Sequence, residues 1–112
     1  MPPTEAVLEG TWELVKASDP GGANKIVLEI NDQGRVTSVT NFVGGTSFRQ
    51  NNATGQTTLA GLDILIQTST NLKFEAVFND EITEAVGTQF TEFTLFGVTT
   101  TIDEGEATLK RI

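Results

Sequence analysis

Two short acidic runs hold the densest groups of reactive side chains. "NDEITE" carries Asp80, Glu81 and Glu84, and "IDEGE" carries Asp103, Glu104 and Glu106. Clustered carboxylates can bind calcium through oxygen ligands. A pair with one member buried can hydrolyse a glycosidic bond. Neither run fits the twelve-residue helix–loop–helix calcium pattern. Both read as hairpin turns, where acidic side chains are solvated turn formers. Glu84 is the best candidate for a buried acid, since it shares strand parity with Ile82 and Val86, but a rim position explains it more simply. No metal site is expected, and folding should need no divalent cation.

Nucleophilic chemistry is further restricted. The chain has no histidine, cysteine or tyrosine. The usual general base, the usual metal ligand, the thiol and the phenol are therefore all missing. A Ser–Lys pair is the remaining option, and none of Ser18, Ser38, Ser47 and Ser69 sits on a sharp strand–helix elbow. The residues thus predict no enzyme and no cofactor.

Seven phenylalanines make the most distinctive apolar set. Phe42, Phe48, Phe74 and Phe78 each fall on the apolar parity of a candidate strand and are the expected lining of an interior pocket. Phe90, Phe93 and Phe96 recur at every third position, which breaks strict alternation. Arg49 and Lys73, the cations nearest these rings, fall on the opposite parity and are expected outside. "NAT", Asn52 to Thr54, matches a glycosylation sequon and carries little weight alone.

The elements that must position these side chains are strands. In "EGTWELVK" Leu8, Gly10, Trp12 and Leu14 share one parity, with Glu9, Thr11 and Glu13 on the other. Ile26 to Ile30 alternates in the same way, "NDQG" (Asn31 to Gly34) turns the chain, and Arg35 to Phe42 returns. Thr46 to Asn51 is a short strand. Thr57 to Gln67 reads as one strand with a bulge at Gly61. Leu72 to Phe78 and Ile82 to Thr88 form a further pair. The segment 90–102 is open between a bulged strand, a strand with a crossing loop and a helical turn. "DEGE" (Asp103 to Glu106) reads as a turn before a last strand, Ala107 to Ile112. Turn signals every 8–12 residues are those of an all-β sandwich or barrel. The expectation is an all-β antiparallel up-and-down barrel of about eight strands, one domain over residues 7–112. Residues 1–6 are expected to be a disordered or cloning-derived lead.

Charge narrows the partners. Fifteen acidic residues against seven basic ones give a net charge of −8, which argues against nucleic acid and anionic membranes. No run of apolar residues is long enough for a spanning helix.

"L-x-G-T-W-x-L" is met by Leu8, Gly10, Thr11, Trp12 and Leu14. "G-x-V-T" is met by Gly34, Val36 and Thr37, and "A-T-L-x-R" by Ala107, Thr108, Leu109 and Arg111. In these stretches the chain resembles the calycin superfamily, and within it the small bacterial lipocalin-like domains of unassigned function. The resemblance covers both ends, and the middle only by strand rhythm. It implies neighbouring first and last strands, with Trp12 plugging the closed barrel end beneath Arg111, or failing that Lys110. It also favours export to the periplasm or the cell exterior. The chain is too short between Lys16 and Asn24 for the lid helices of fatty-acid-binding proteins, and one tryptophan cannot build an avidin cage. The secreted META-type domains carry "G-C-N" where this chain has "TNFVGGTS". The expected function is a non-catalytic lipocalin-like barrel binding a small hydrophobic or amphipathic molecule in its interior. The alternative is a packed envelope-associated or protein-interaction module without a ligand.

Overall fold

The structure, a computed structural model, describes residues 4–50 and 52–112. The parts of the expected lead at residues 1–3, and of the expected fourth strand at residue 51, lie outside the described residues. Among the described residues, a 3₁₀ turn over Glu5–Leu8 precedes nine strands. These are β1 (Gly10–Lys16), β2 (Ile26–Ile30), β3 (Arg35–Val43), β4 (Thr46–Gln50), β5 (Gly55–Ala60), β6 (Asp63–Thr68), β7 (Leu72–Phe78), β8 (Glu84–Leu95) and β9 (Val98–Arg111). Every strand pairing is antiparallel. The order β2-β1-β9-β8-β7-β6-β5-β3, with β2 also paired to β3, closes an eight-stranded barrel, and β4 is an extra strand on β3.

The core follows from alternation. Trp12 and Leu14, Leu28 and Ile30, Val36 and Val39, Ile64 and Ile66, Phe74 and Phe78, and Ala107 and Leu109 all point inward and are buried. Their polar neighbours along each strand face water, as a half-buried sheet requires. Phe74, Ile66, Leu28 and Leu14 fill the middle of the barrel, which is packed as small barrels are when large side chains meet across the axis.

Three local expectations are corrected. Glu5–Leu8 is a helical turn with Leu8 buried against the core, so Glu5 and Ala6, expected in the lead, are part of the described fold. Thr57 to Gln67 is not one bulged strand. Gly61, at φ 64°, and Leu62 form a two-residue turn between β5 and β6, with Ala60 opposite Asp63. "DEGE" is not a turn but lies within β9. Gln89 faces Gly105 and Phe90 faces Asp103, which leaves Glu104 as an extra residue. Gly105, at φ 93°, supplies the left-handed residue of this bulge, and its N–H donates to Asp103 Oδ1 at 2.7 Å.

That bulge resolves the segment 90–102. β8 continues to Leu95, turns at Phe96–Gly97, and returns as β9. Pairing with β7 ends at Thr91, and pairing with β1 ends at Ala107. Beyond these points β8 and β9 run on as a two-stranded ribbon above the barrel.

Candidate functional site at the open end of the barrel

The two ends of the barrel differ. At the lower end, Trp12 is fully buried and its Nε1 donates to Leu8 O at 2.8 Å. Trp12 and Arg111 are cross-strand partners, and the Arg111 guanidinium lies 4.3 Å from the Trp12 ring centroid. Arg111 also donates from Nη1 to Glu9 O at 2.7 Å and from Nη2 to Val7 O at 2.6 Å. One cation thereby stacks on the indole and holds the chain of the 3₁₀ turn across the barrel end. Phe78 also packs against the indole, its ring centroid 5.5 Å from that of Trp12 and tilted by 55°. Lys110 points away, exposed and paired across the ladder with Glu84. This end is closed by packing.

The upper end is open. β1, β3, β6 and β8 finish there. A depression of about 260 Å³ is lined by Ile26, Asn41, Leu72, Gln89 and Thr91, with Asn24, Thr70 and Asn71 contributed by loops. Leu72 and Gln89 are buried and form its floor. Asn24 is held by the turn of the β3–β4 hairpin, whose Gly44 N–H donates to Asn24 Oδ1 at 3.0 Å. The depression thus sets the apolar Leu72 and Ile26 among neutral amide and hydroxyl groups. Such groups can hydrogen-bond an uncharged polar head but cannot activate a nucleophile or neutralise an ion.

The four phenylalanines assigned to one pocket wall do not share one. Phe74 is buried in the filled middle and Phe78 in the plug. Phe42 stands at the rim, half-buried, with Lys25 Nζ 4.9 Å from its ring centroid. Phe48 pairs with Asn41 and so lies on the inward sheet face, but it is 51% exposed. The reason is topological: among the described residues β4 pairs only with β3, so its other edge is open. Among the remaining three rings, Phe90 faces outward beneath Lys73, Phe93 lies on the inward face of the ribbon, and Phe96 occupies the turn.

The acidic runs do not assemble a site. Among the described residues, no group of three His, Cys, Asp or Glu side chains is placed to hold a metal ion. Glu104 binds Lys16 at 3.8 Å and accepts from Thr91 Oγ1 at 3.1 Å. Glu84 faces outward beside Glu13 and Lys110. The 79–84 turn is organised by Asn79, whose Oδ1 accepts from the Thr83 and Glu84 N–H groups. Lys73 bridges Glu75 and Glu92 on the outer wall, and Arg49 is exposed on β4.

The amides of Asn24, Asn41, Asn71 and Gln89 were missed by sequence reasoning. Asparagine reads as a turn former, and only strand register reveals that Asn41 and Gln89 point into the barrel. A weak signal existed for Gln89, which continues the inward parity of Ala85 and Gly87.

No helix among the described residues is long and apolar enough to cross a membrane. Comparison with protein-family models, with curated proteins and with solved structures finds no match to this chain.

Proposed function

We propose that the chain is a non-catalytic, calycin-type binding module that takes a small amphipathic molecule at the open end of its barrel. The observation that carries this reading is the asymmetry of the two ends. One is sealed by Trp12, Phe78 and Arg111, and the other opens on Leu72 and Ile26 set among neutral amides. The filled middle limits how deep a ligand can go, so the reading is a shallow seat rather than an enclosed cavity. A depression of about 260 Å³ suits one ring or a short alkyl end, below the roughly 300–1,000 Å³ of drug-sized sites. Binding is then broad and modest, because neutral amides orient a ligand without a charged anchor. The likeness of the Gly10–Trp12 and Ala107–Arg111 stretches to calycins supports the same reading.

A second reading is favoured by one feature of the outer wall. A trough of about 480 Å³ runs over β5 to β8, with Leu65, Val77 and Val86 along it. Val77 and Val86 are exposed, which suits a packed module that meets a protein through its wall. Titration with an environment-sensitive apolar dye separates the two. The mouth reading expects saturable binding that Asn41→Trp weakens at least tenfold and Val77→Trp leaves unchanged. Loss on Val77→Trp alone favours the wall, and the absence of saturation overturns ligand binding altogether.

A further inference from the structure

The ribbon above the barrel has two unlike faces. Cross-strand pairing puts Phe93 opposite Thr100 and Leu95 opposite Val98, on the face that continues the barrel interior, with Ile102 opposite Thr91 below them. The other face carries Thr94 bonded to Thr99 at 3.0 Å, and Glu92 accepting from Thr101 at 3.1 Å. Leu95, Phe96, Val98 and Ile102 are all exposed, and Phe96 is fully so. Phe96 and Gly97 have φ 52° and 77°. These are the angles of the two-residue hairpin turn that normally selects Asn-Gly or Gly-Gly. A phenylalanine there is conformationally unfavourable, and its ring touches nothing that would offset that. On the same end, the β3–β4 hairpin exposes Val43 and Phe48. No charged residue occurs from Phe93 to Ile102 or from Val36 to Phe48, in a chain that is 20% charged.

We propose that the open end of the barrel docks on an electrically neutral lipid surface, with the Leu95–Val98 tip as an inserting wedge and Val43 and Phe48 beside it. Three arguments select this occupant. Both apolar tips rise from one end, so a single broad surface meets both. A second copy pairing along the ribbon covers one tip only. Beyond Thr91 each ribbon strand has the four residues matching Glu92 to Leu95, which present about 14 Å by about 10 Å, far below the roughly 800 Å² per partner of a standard interface. Two copies also bring together net charges of −8 each, and the same acidity opposes anionic lipid and leaves a neutral one. Insertion stays shallow, at about 5–10 Å, because the outer backbone edges of the ribbon need water or headgroups as partners. This inference goes beyond the mouth reading and does not depend on it.

The test is co-sedimentation with phosphatidylcholine vesicles. The wild-type chain is expected to partition onto them, and Phe96→Asp to do so at least tenfold less. The melting temperature of Phe96→Asp should not fall, since the ring has no contacts to lose and aspartate tolerates the positive φ better than phenylalanine. Phe96→Trp is expected to give a vesicle-dependent blue shift, readable over the constant signal of buried Trp12. Added phosphatidylserine should reduce binding. Equal partitioning of Phe96→Asp, or no shift for Phe96→Trp, overturns the proposal. So does concentration-dependent dimerisation without vesicles that Phe96→Asp abolishes, which would assign the tip to a second copy. Dye binding at the mouth that survives Phe96→Asp keeps the two readings separable.

Discussion

Gly10 shows why a glycine stands two residues before the single tryptophan. Its φ is 139°, and a Cβ built there would lie 2.9 Å from Arg111 Nη1. The guanidinium that stacks on Trp12 and bonds Glu9 O needs that space. Gly10→Ala is therefore expected to cost about 1–3 kcal/mol, combining an unfavourable dihedral with a displaced cation. Urea unfolding measures it, and a cost under about 0.5 kcal/mol would refute the close-approach account. Trp12→Ala should cost more, about 3–5 kcal/mol, because it opens a large cavity in the plug. The indole is fully buried, in contact with Phe78 and stacked by Arg111. Its emission in the wild-type protein should thus be blue-shifted and resistant to iodide, and a hydrated spectrum would contradict the placement.

The elements divide into a barrel that carries the stability and hairpin tips that do not. Residues 93–102 make no contribution to the buried core. Replacing Thr94–Thr99 with Asn-Gly, which keeps the turn dihedrals, is expected to shift the melting temperature by no more than a few degrees. Amide exchange should be fast over the ribbon and slow over β7, which is paired on both sides. Strong protection across the ribbon would count against this division. Elements were legible in the sequence where one turn joined two cleanly alternating runs. In the β2–β3 hairpin, Asn31 Oδ1 accepts from the Gln33 and Arg35 N–H groups, and Gly34 takes φ 76°. That is the chemistry its turn residues announce. Legibility failed where a positive-φ glycine has two uses. Gly61 makes a turn where the strand pattern suggests a bulge, whereas Gly105 makes a bulge where the composition suggests a turn. The mouth was illegible for a further reason. It gathers residues from β2, β3, β7, β8 and two loops, and no local pattern encodes that meeting.

At the scale of the whole molecule, closure explains more than charge. Eight strands paired in a ring close the barrel, although the β3–β5 seam rests on two residue pairs, Arg35–Gln56 and Val36–Gly55; among the described residues, unpaired edges remain on β4, on the ribbon and on β5 beyond that seam. Charge opposes compaction, with fifteen acidic residues against seven basic. Its few ion pairs, such as Lys25 with Glu13 at 3.0 Å, are partly exposed and worth little each. Raising salt from about 0.1 M to about 1 M shortens the screening length from about 10 Å to about 3 Å. Relief of net repulsion should outweigh the weakened pairs, so the melting temperature is expected to rise with sodium chloride. A fall would mean that the ion pairs dominate.

The most direct test of the central claim maps where a ligand sits. An amide ¹H–¹⁵N correlation spectrum is recorded while the environment-sensitive apolar dye is titrated in. Seating at the open end predicts shifts concentrated at Asn24, Asn41, Asn71, Gln89 and Thr91, the residues around the depression, with Trp12 and Arg111 unmoved. Shifts gathered instead at Leu65, Val77 and Val86, or no saturable shift at any amide, would contradict it.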